Sequence, residues 1–249
     1  IPSSIFFDLD ENSEKDTDLP HMLPKQEAWG KIMSSLGINN NDDILIYDNS
    51  DLKSSCRLWF SLLYFGHDEK KIYILNGGLK KWIFENKPIT KLTTEIIKSN
   101  YVTNKKENLV VSLDQIKKNI LSKSFNVIDA RSLERFEGKV SEPRKGLRSG
   151  HIQNSFCLPF NQCINQKTGE FKNLEELREL FNQNENIDKR LDQVFTCGSG
   201  VTAAVLAYAY KMVNNDYIPK IYDGSWSEYG KYLSLIHISE PTVSYTHLR

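Results

Sequence analysis

The sequence predicts an α/β protein made of two tandem domains, each a parallel sheet flanked by helices. Strand patterns alternate with helix patterns along most of the chain, as parallel sheets with crossover helices require. Similar segments also recur at a nearly constant spacing, which indicates two copies of one unit. The length of 249 residues fits one large domain or two of about 120 residues, and the repeat favours two.

The first copy contains two short apolar strands joined by a helix. Residues 43–47, DILIY, form the first predicted strand, and residues 54–65 are an apolar run with helical periodicity. Residues 71–75, KIYIL, form the second predicted strand, which Gly77-Gly78 closes. These elements together make a strand–helix–strand unit of the kind that builds a parallel sheet.

The second copy repeats this order of elements. Residues 193–196 are a predicted strand, residues 202–212, TAAVLAYAYKM, a helix, and residues 220–222 a strand that Asp223-Gly224 closes. The second copy therefore has the same strand–helix–strand order as the first.

The spacing between matched positions supports the duplication. Asp48 matches Cys197 at an offset of 149 residues, and Gly77 matches Gly224 at an offset of 147. The second copy also has a leading apolar strand at residues 125–130, FNVIDA, and nothing before Ile1 matches it. We therefore expect the first domain to be incomplete, with its N-terminal strand missing.

The chain divides into four predicted segments. The first domain covers residues 1–86, a surface linker with mixed Pro, Lys and Asn covers 87–108, and the second domain covers 109–232. Residues 233–249 match nothing in the repeat and resemble peptides that arise when sequencing-adapter DNA is translated. We expect this tail to be unstructured and assign it no function, with a genuine terminal extension as the alternative.

Composition excludes several classes of partner. Lys plus Arg number 32 and Asp plus Glu number 32, so the balanced charge gives no basic surface for nucleic acid or an anionic membrane. No apolar run approaches the ~20 residues of a membrane span. The 4 cysteines are too few and too irregularly spaced for a disulfide framework or a zinc site. A reducing compartment, cytoplasmic or mitochondrial, is expected, although any targeting segment may lie outside this sequence.

The most informative segment is residues 194–203, VFTCGSGVTA, where a strand runs directly into Cys197 and a helix follows. Unpaired backbone N–H groups and the helix dipole meet at such a junction, so the pKa of the thiol should fall below ~8.5. Gly198 and Gly200 allow the curvature that turns successive N–H groups inward. The alternative is a buried structural cysteine in an ordinary turn, and the loop alone favours neither interpretation.

The loop CGSGVTA resembles the active-site loop of the 3-mercaptopyruvate sulfurtransferases, two-domain proteins of the rhodanese superfamily. Supporting motifs occur in family order over residues 1–232: FFDLD, DLPHMLP, FGHDEKKIYILNGGLKKW, IDAR, EPRKGLRSGHI and YDGSWSEY. The resemblance implies two tandem rhodanese-like domains, the first inactive and the second carrying the catalytic Cys197. Asp48 occupies the matching position of the first copy, and a carboxylate cannot carry sulfur.

The resemblance also implies how the sulfur donor is held. Arg135 and Arg144 match the two arginines that bind the carboxylate and carbonyl of mercaptopyruvate, a role that suits the bidentate guanidinium. The loop residues expected to complete the donor site are Gly198, Gly200, Val201 and Thr202. Among the neighbouring cations we expect Arg131 to pair with an acid such as Glu134. The others, Lys139, Lys145 and Arg148, are expected on a solvated face.

A serine–histidine–aspartate relay is implied as well, with Ser199, His21 and Asp10 at the matching positions. His21 and Asp10 belong to the first domain, so the active site should lie between the domains. Imidazole suits proton transfer near neutral pH, and a carboxylate can fix its tautomer. The alternative is that His21 caps a loop and Asp10 ends a strand.

The resemblance implies a sulfurtransferase that moves sulfur from 3-mercaptopyruvate through a persulfide on Cys197 to thioredoxin, a small dithiol or cyanide. No metal or organic cofactor is expected, because the persulfide itself carries the group. A cysteine phosphatase is disfavoured because Ala203 stands where that class needs an arginine. Thiosulfate sulfurtransferases remain an alternative, although their CRKGVTA-type loop has two cations where this chain has Gly198 and Ser199. A non-catalytic binding or sulfur-relay scaffold is the third hypothesis.

Overall fold

The computed structural model describes residues 1–183, 185 and 187–231, together with the backbone of Ile238–Ser239. The first domain contains, in chain order, α1 (Gln26–Ser35), β1 (Ile44–Ile46), α2 (Lys53–Tyr64), β2 (Ile72–Ile74) and α3 (Gly78–Phe84). The second contains β3 (Val110–Val111), α4 (Leu113–Ser122), β4 (Phe125–Asp129), α5 (Leu133–Phe136), β5 (His151–Ile152), β6 (Phe156–Cys157), α6 (Leu174–Asn182), β7 (Asp192–Thr196), α7 (Val201–Val213), β8 (Lys220–Tyr222) and α8 (Ser225–Tyr229).

The second domain is built on a five-stranded parallel sheet with the strand order β3-β8-β7-β4-β6. Asp129 pairs with Thr196 at the last position of β4 and β7, so both strands end at the same edge of the sheet. The loops after β4, β7 and β8 therefore leave from one edge, where parallel sheets place their ligand sites. This edge brings Arg131, Cys197 and Asp223 into one neighbourhood.

The first domain repeats the central part of this arrangement. β1 and β2 pair in parallel, with Ile44 opposite Ile72. They correspond to β7 and β8, and α2 corresponds to α7, so the predicted α/β repeat is confirmed. No strand among the described residues pairs with the other edge of β1.

The two domains share one apolar core through helices α2 and α7. Trp59 of α2 meets Tyr208 of α7 edge to face, with ring centroids 4.9 Å apart. Cys56, also on α2, is fully buried, as its apolar helical context predicts. Because this core is continuous, loops from both domains are held at fixed positions beside each other.

The segment between the domains follows the protein surface. Residues 87–106 form no helix or strand, and most of their side chains are exposed. Tyr101 is the buried anchor, and its hydroxyl lies 3.1 Å from Nδ1 of the buried His67. This course is compatible with a linker over residues 87–108.

The predicted tail is described only at β9 (Ile238–Ser239), which pairs antiparallel with β5. At these two residues the tail is a strand paired with His151 and Ile152, which differs from the expectation of an unstructured segment. The rest of residues 233–249 lies outside the described residues. In the part of the chain that is described, no helix is long and apolar enough to cross a membrane.

Candidate active site

The site is centred on Cys197, the residue that follows β7 at the carboxyl edge of the sheet. Its side chain is buried, at 2% relative exposure. The backbone N–H of Ser199 points back at Sγ over 3.4 Å. Gly200 has a φ of +78°, a left-handed conformation that suits glycine, and α7 begins at the next residue. The turn between the strand and the helix thus directs the Ser199 N–H toward the sulfur.

The loop is held in place by the segment after β8. The Ser225 hydroxyl oxygen accepts hydrogen bonds from the backbone N–H groups of Cys197 at 3.2 Å and Gly200 at 3.0 Å. It donates its own proton to the Tyr222 carbonyl at 2.8 Å. The Trp226 N–H donates to the Cys197 carbonyl at 2.9 Å. Sequence analysis did not identify Ser225, although it lies in the YDGSWSEY motif that carried the resemblance.

The other three cysteines have environments that keep them protonated. Burial raises the pKa of both Cys157 and Cys163 to about 12. Burial also raises the pKa of the Cys56 thiol well above its usual range. All three therefore remain neutral thiols near pH 7, where the thiolate is the reactive form. Cys197 is the cysteine that the backbone N–H of Ser199 faces.

Two guanidinium groups converge above Gly198. A Cβ atom at this position would lie 3.1 Å from Nη2 of Arg135 and 3.7 Å from Nη1 of Arg144. A second Arg144 nitrogen, Nη2, donates to the Ser199 hydroxyl oxygen at 3.4 Å. A side chain at position 198 would enter the space between these cations and the loop. Glycine leaves that space open for an anionic ligand.

Arg135 is fixed from behind by Glu142, whose side chain is 1% exposed. Arg135 donates through Nε at 3.2 Å and Nη2 at 2.5 Å to the two oxygens of this carboxylate. Arg131 donates to the same carboxylate at 2.8 Å and to Asp129 at 2.7 Å. Arg131 thus forms the expected ion pair within its domain, but its partners are Asp129 and Glu142, because Glu134 is exposed. Sequence analysis also overlooked Glu142 as a site residue.

The three residues predicted to form the relay contact one another across the domain boundary. His21 Nδ1 is 2.9 Å from the Ser199 Oγ, and its Nε2 is 3.0 Å from Asp10 Oδ1. Burial lowers the pKa of His21, the Asp10 carboxylate opposes this, and Arg144 and Arg57 lower it further. The imidazole is therefore neutral near pH 7, so it can accept a proton. The Asp10 side chain is 79% exposed, so of these three residues it is the one most exposed to solvent.

The remaining predicted site residues lie at the start of α7. Val201, together with Asp10, His21 and Ser199, lines a cavity of about 1200 Å³ that continues along β1. Thr202 lies in the same helical turn and is half-buried, but it does not line this cavity. Among the described residues no group of three or more His, Cys, Asp or Glu side chains could hold a metal ion.

Comparison with known proteins identifies the family of this chain. The rhodanese-like domain model matches residues 1–85 and 112–232. The mitochondrial thiosulfate/3-mercaptopyruvate sulfurtransferase 1 of Arabidopsis thaliana is 38% identical over 92% of this chain and 65% of its own length. The human 3-mercaptopyruvate sulfurtransferase is 35% identical over 92% of this chain and 76% of its own.

A solved structure gives the same result at the level of the fold. The 3-mercaptopyruvate sulfurtransferase SseA of Escherichia coli superimposes with a TM-score of 0.80 at 32% identity, covering 92% of this chain and 83% of that one. This chain spans 65% and 76% of the lengths of the Arabidopsis and human relatives. On the family model, these relatives and the shared fold, the chain belongs to the rhodanese-like domain family.

Proposed function

We propose that this protein is a sulfurtransferase that takes sulfur from 3-mercaptopyruvate, carries it as a persulfide on Cys197 and releases pyruvate. The observation that supports this most is the convergence of Arg135 and Arg144 over Gly198, beside a cysteine faced by a backbone N–H. A small thiol with a carboxylate fits such a site, because its anionic end can be held while its sulfur meets Sγ.

Donor binding would use the two arginines in different ways. Arg135 donates from Nε and Nη2 to Glu142. Its Nη1 is not used in this pair and would lie 3.9 Å from a Cβ atom at position 198. Arg144 has no such carboxylate partner in the described part of the chain and lies beside Ser199. We infer that Arg144 meets the donor carboxylate and that Arg135 meets the adjoining carbonyl and carboxylate edge. The loop residues Gly198, Gly200, Val201 and Thr202 would shape the floor beneath the donor.

The first half-reaction is an attack of the Cys197 thiolate on the donor sulfur. An S–S bond forms, the C–S bond of mercaptopyruvate breaks, and its electron pair stays on carbon as the pyruvate enolate. The thiol proton of Cys197 passes through Ser199 and His21 and returns to that carbon, which becomes the methyl group of pyruvate. The balance is one thiol and one mercaptopyruvate giving one persulfide and one pyruvate. The neutral state of His21 supports its part in this transfer.

A second nucleophile then removes the outer sulfur and restores the Cys197 thiolate. Cyanide would leave as thiocyanate, and a dithiol such as reduced thioredoxin would take the sulfur and release it as sulfide on closing its own disulfide. The 4 cysteines of the chain are all free thiols. A compartment that keeps thiols reduced, the cytoplasm or the mitochondrial interior, suits this cycle.

The two domains would divide the work unequally. Residues 109–232 form the catalytic domain, and residues 1–86 form an inactive domain that supplies His21 and Asp10 to the site. Asp48 replaces the sulfur-carrying residue in the first domain. Residues 87–108 would join the domains without contributing to the chemistry.

Thiosulfate is the second candidate donor. One observation favours it, since the guanidinium groups of Arg135 and Arg144 provide positive charge near the loop that Gly198 and Ser199 lack. Glu142 already neutralises Arg135, however, so less charge is left to offset a compact dianion that approaches a thiolate. We therefore expect mercaptopyruvate to be preferred by more than about tenfold in kcat/KM, which needs only ~1.4 kcal/mol.

The test is to expose the protein to 3-mercaptopyruvate without an acceptor and to measure its intact mass and the pyruvate released. We expect Cys197 to gain the mass of one sulfur atom with one pyruvate per site. An unmodified Cys197 would favour a binding or relay scaffold instead. Equal kcat/KM values for mercaptopyruvate and thiosulfate, with cyanide as acceptor, would contradict the donor assignment alone.

A further inference from the structure

We propose that Arg57 is a positioning residue that, with Asp223, holds His21 of the first domain against the Cys197 loop of the second. The proposal rests on the proposed function, because it assigns Arg57 an effect on catalysis through the His21 imidazole. Arg57 lies on α2 in an otherwise apolar stretch, and its side chain is 1% exposed. A cation buried so completely needs partners that fix its geometry.

The Arg57 guanidinium contacts three segments that meet at the site. Its Nη2 donates to the backbone carbonyl of His21 at 2.6 Å, and its Nη1 donates to the Gly200 carbonyl at 3.4 Å. The same Nη1 lies 2.7 Å from Asp223 Oδ1 as an ion pair. One side chain of the first domain thus joins the His21 segment to the Cys197 loop.

Asp223 of the second domain is the partner of Arg57, and we call this buried ion pair the clamp. Its side chain is 4% exposed, and its Oδ2 accepts a hydrogen bond from the Leu23 backbone N–H at 2.9 Å. Arg57 and Asp223 therefore hold the carbonyl of His21 and the N–H two residues later. One buried ion pair therefore forms hydrogen bonds to the segment that carries the imidazole at two points.

The backbone of His21 shows why such a clamp is needed. Its φ is +59°, a left-handed conformation that costs energy in a residue other than glycine and persists only where the surroundings hold it. In this conformation the ring reaches Ser199 at 2.9 Å. If the clamp were loosened, His21 would relax to an ordinary conformation and its ring would leave Ser199.

Gly200 shows how closely the ion pair is seated on the loop. A Cβ at Gly200 would lie 3.0 Å from Nη1 of Arg57 and 2.9 Å from Oδ1 of Asp223. Buried ion pairs are often replaceable by apolar residues without loss of stability. Stability therefore does not by itself require this pair, whereas the forked geometry of arginine is needed to reach His21, Gly200 and Asp223 together.

The first test is Arg57→Lys, which keeps a positive charge beside Asp223 but replaces the fork by one ammonium group. We expect kcat for mercaptopyruvate to fall about tenfold, because the His21 ring is no longer held at Ser199. KM should stay within about twofold of wild type, since Arg135 and Arg144 are untouched. Wild-type kcat in a folded Arg57→Lys protein would overturn the proposal.

The decisive test repeats the change in a His21→Ala background. With no imidazole to position, Arg57→Lys should lower kcat by less than about twofold there. A residue that only stabilises the fold would lower kcat by the same factor in both backgrounds, and that result would overturn the proposal. Wild-type activity in His21→Ala alone would overturn it too, together with the relay.

Two further variants serve as a control for loss of an ion pair between the domains and as a second test of the proposal. Lys81→Met removes a different ion pair between the domains, that of Lys81 with Glu170, and should leave kcat unchanged. Asp223→Asn keeps an acceptor for Leu23 but removes the charge opposite Arg57. Asp223→Asn should lower kcat, as Arg57→Lys does. Unchanged kcat in a folded Asp223→Asn protein would overturn the proposal that this ion pair positions His21. A wild-type protein that forms no persulfide would instead contradict the proposed function, independently of Arg57.

Discussion

The two domains place the same loop after corresponding strands, one around Asp48 and the other around Cys197. The Asp48 carboxylate accepts hydrogen bonds from the backbone N–H groups of Ser50 and Leu52 at 3.2 Å and of Ser55 at 2.8 Å. It also accepts one from the Ser50 hydroxyl at 2.8 Å. In the second loop, the Ser199 N–H faces the sulfur of Cys197 at 3.4 Å. Backbone N–H groups of the loop thus bond a carboxylate in one domain, and one such group faces a thiol in the other.

The backbone that supports the two loops is also alike. The Leu79 N–H donates to the Asp48 carbonyl at 2.8 Å, and the Trp226 N–H donates to the Cys197 carbonyl at 2.9 Å. The preceding residues, Gly78 and Ser225, have φ values of +56° and +50°. The loops differ in the central side chain and also in length, because α2 begins five residues after Asp48 whereas α7 begins four residues after Cys197. In the first domain the loop surrounds the Asp48 carboxylate, and in the second it surrounds the sulfur that we propose as the nucleophile.

The largest effect is expected from Cys197→Ser, which removes the sulfur but leaves the cradle. Turnover should fall more than about a thousandfold while the melting temperature stays near that of wild type, because serine is nearly isosteric. Sulfur transfer to cyanide measures the activity. Cys157→Ser is the matched control and should be fully active, since that thiol has a pKa of about 12. A loss below about tenfold in Cys197→Ser would move the chemistry to another residue.

The next largest effect is expected on KM, from the two arginines that lie beside the Cys197 loop. Arg135→Ala and Arg144→Ala should each raise KM for mercaptopyruvate about ten- to a hundredfold, since a charged hydrogen bond contributes ~1.5–3 kcal/mol. Steady-state kinetics with a fixed acceptor concentration measure this. Lys139→Ala, an exposed cation of the same segment paired with Glu137, should leave KM unchanged. Unchanged KM in both arginine variants would remove this pair from the donor site.

The smallest effect is expected in the inactive loop. Asp48→Asn replaces one accepting oxygen by an NH₂ group that faces N–H donors, and should lower the free energy of unfolding by ~1–3 kcal/mol. Urea denaturation measures this, with the exposed Asp43→Asn as a near-neutral control. Turnover per folded molecule should not change. Activity lost without loss of stability would give the Asp48 loop a catalytic part and break the comparison.

The sequence predicted most strands but missed several helices. Predicted strands such as 43–47 and 125–130 agree with the structure to within one or two residues, because short apolar runs between turn residues are strong local signals. Helices α4 and α6 were overlooked although both begin with a capping box, one formed by Ser112 and Gln115. Helix α1 has no side-chain cap at Lys25, so its start carries no comparable signal.

The site was predictable where its residues lie in local motifs and not where they act through distant contacts. The loop around Cys197 marked a candidate from its own residues, but it favoured neither a reactive nor a structural cysteine, and the resemblance supplied that choice, the arginines and the relay. Arg57 and Asp223 lie 166 residues apart, and their pairing exists only after the domains pack. The arginine inside the apolar run 54–65 was nevertheless a signal in the sequence, because arginine is almost never fully buried unless it is paired.

The split between His21 and Cys197 has a consequence for protein synthesis. Cys197 is added to the growing chain 176 residues after His21, which takes roughly 9 to 35 s at ordinary rates of translation. During this time His21 has been synthesised, but Ser199, which its ring contacts in the folded protein, has not. When the cysteine loop has been synthesised, the contact between His21 and Ser199 still requires α7 to pack against α2. On the proposed mechanism, sulfur transfer would therefore begin only in a molecule whose two domains have packed together.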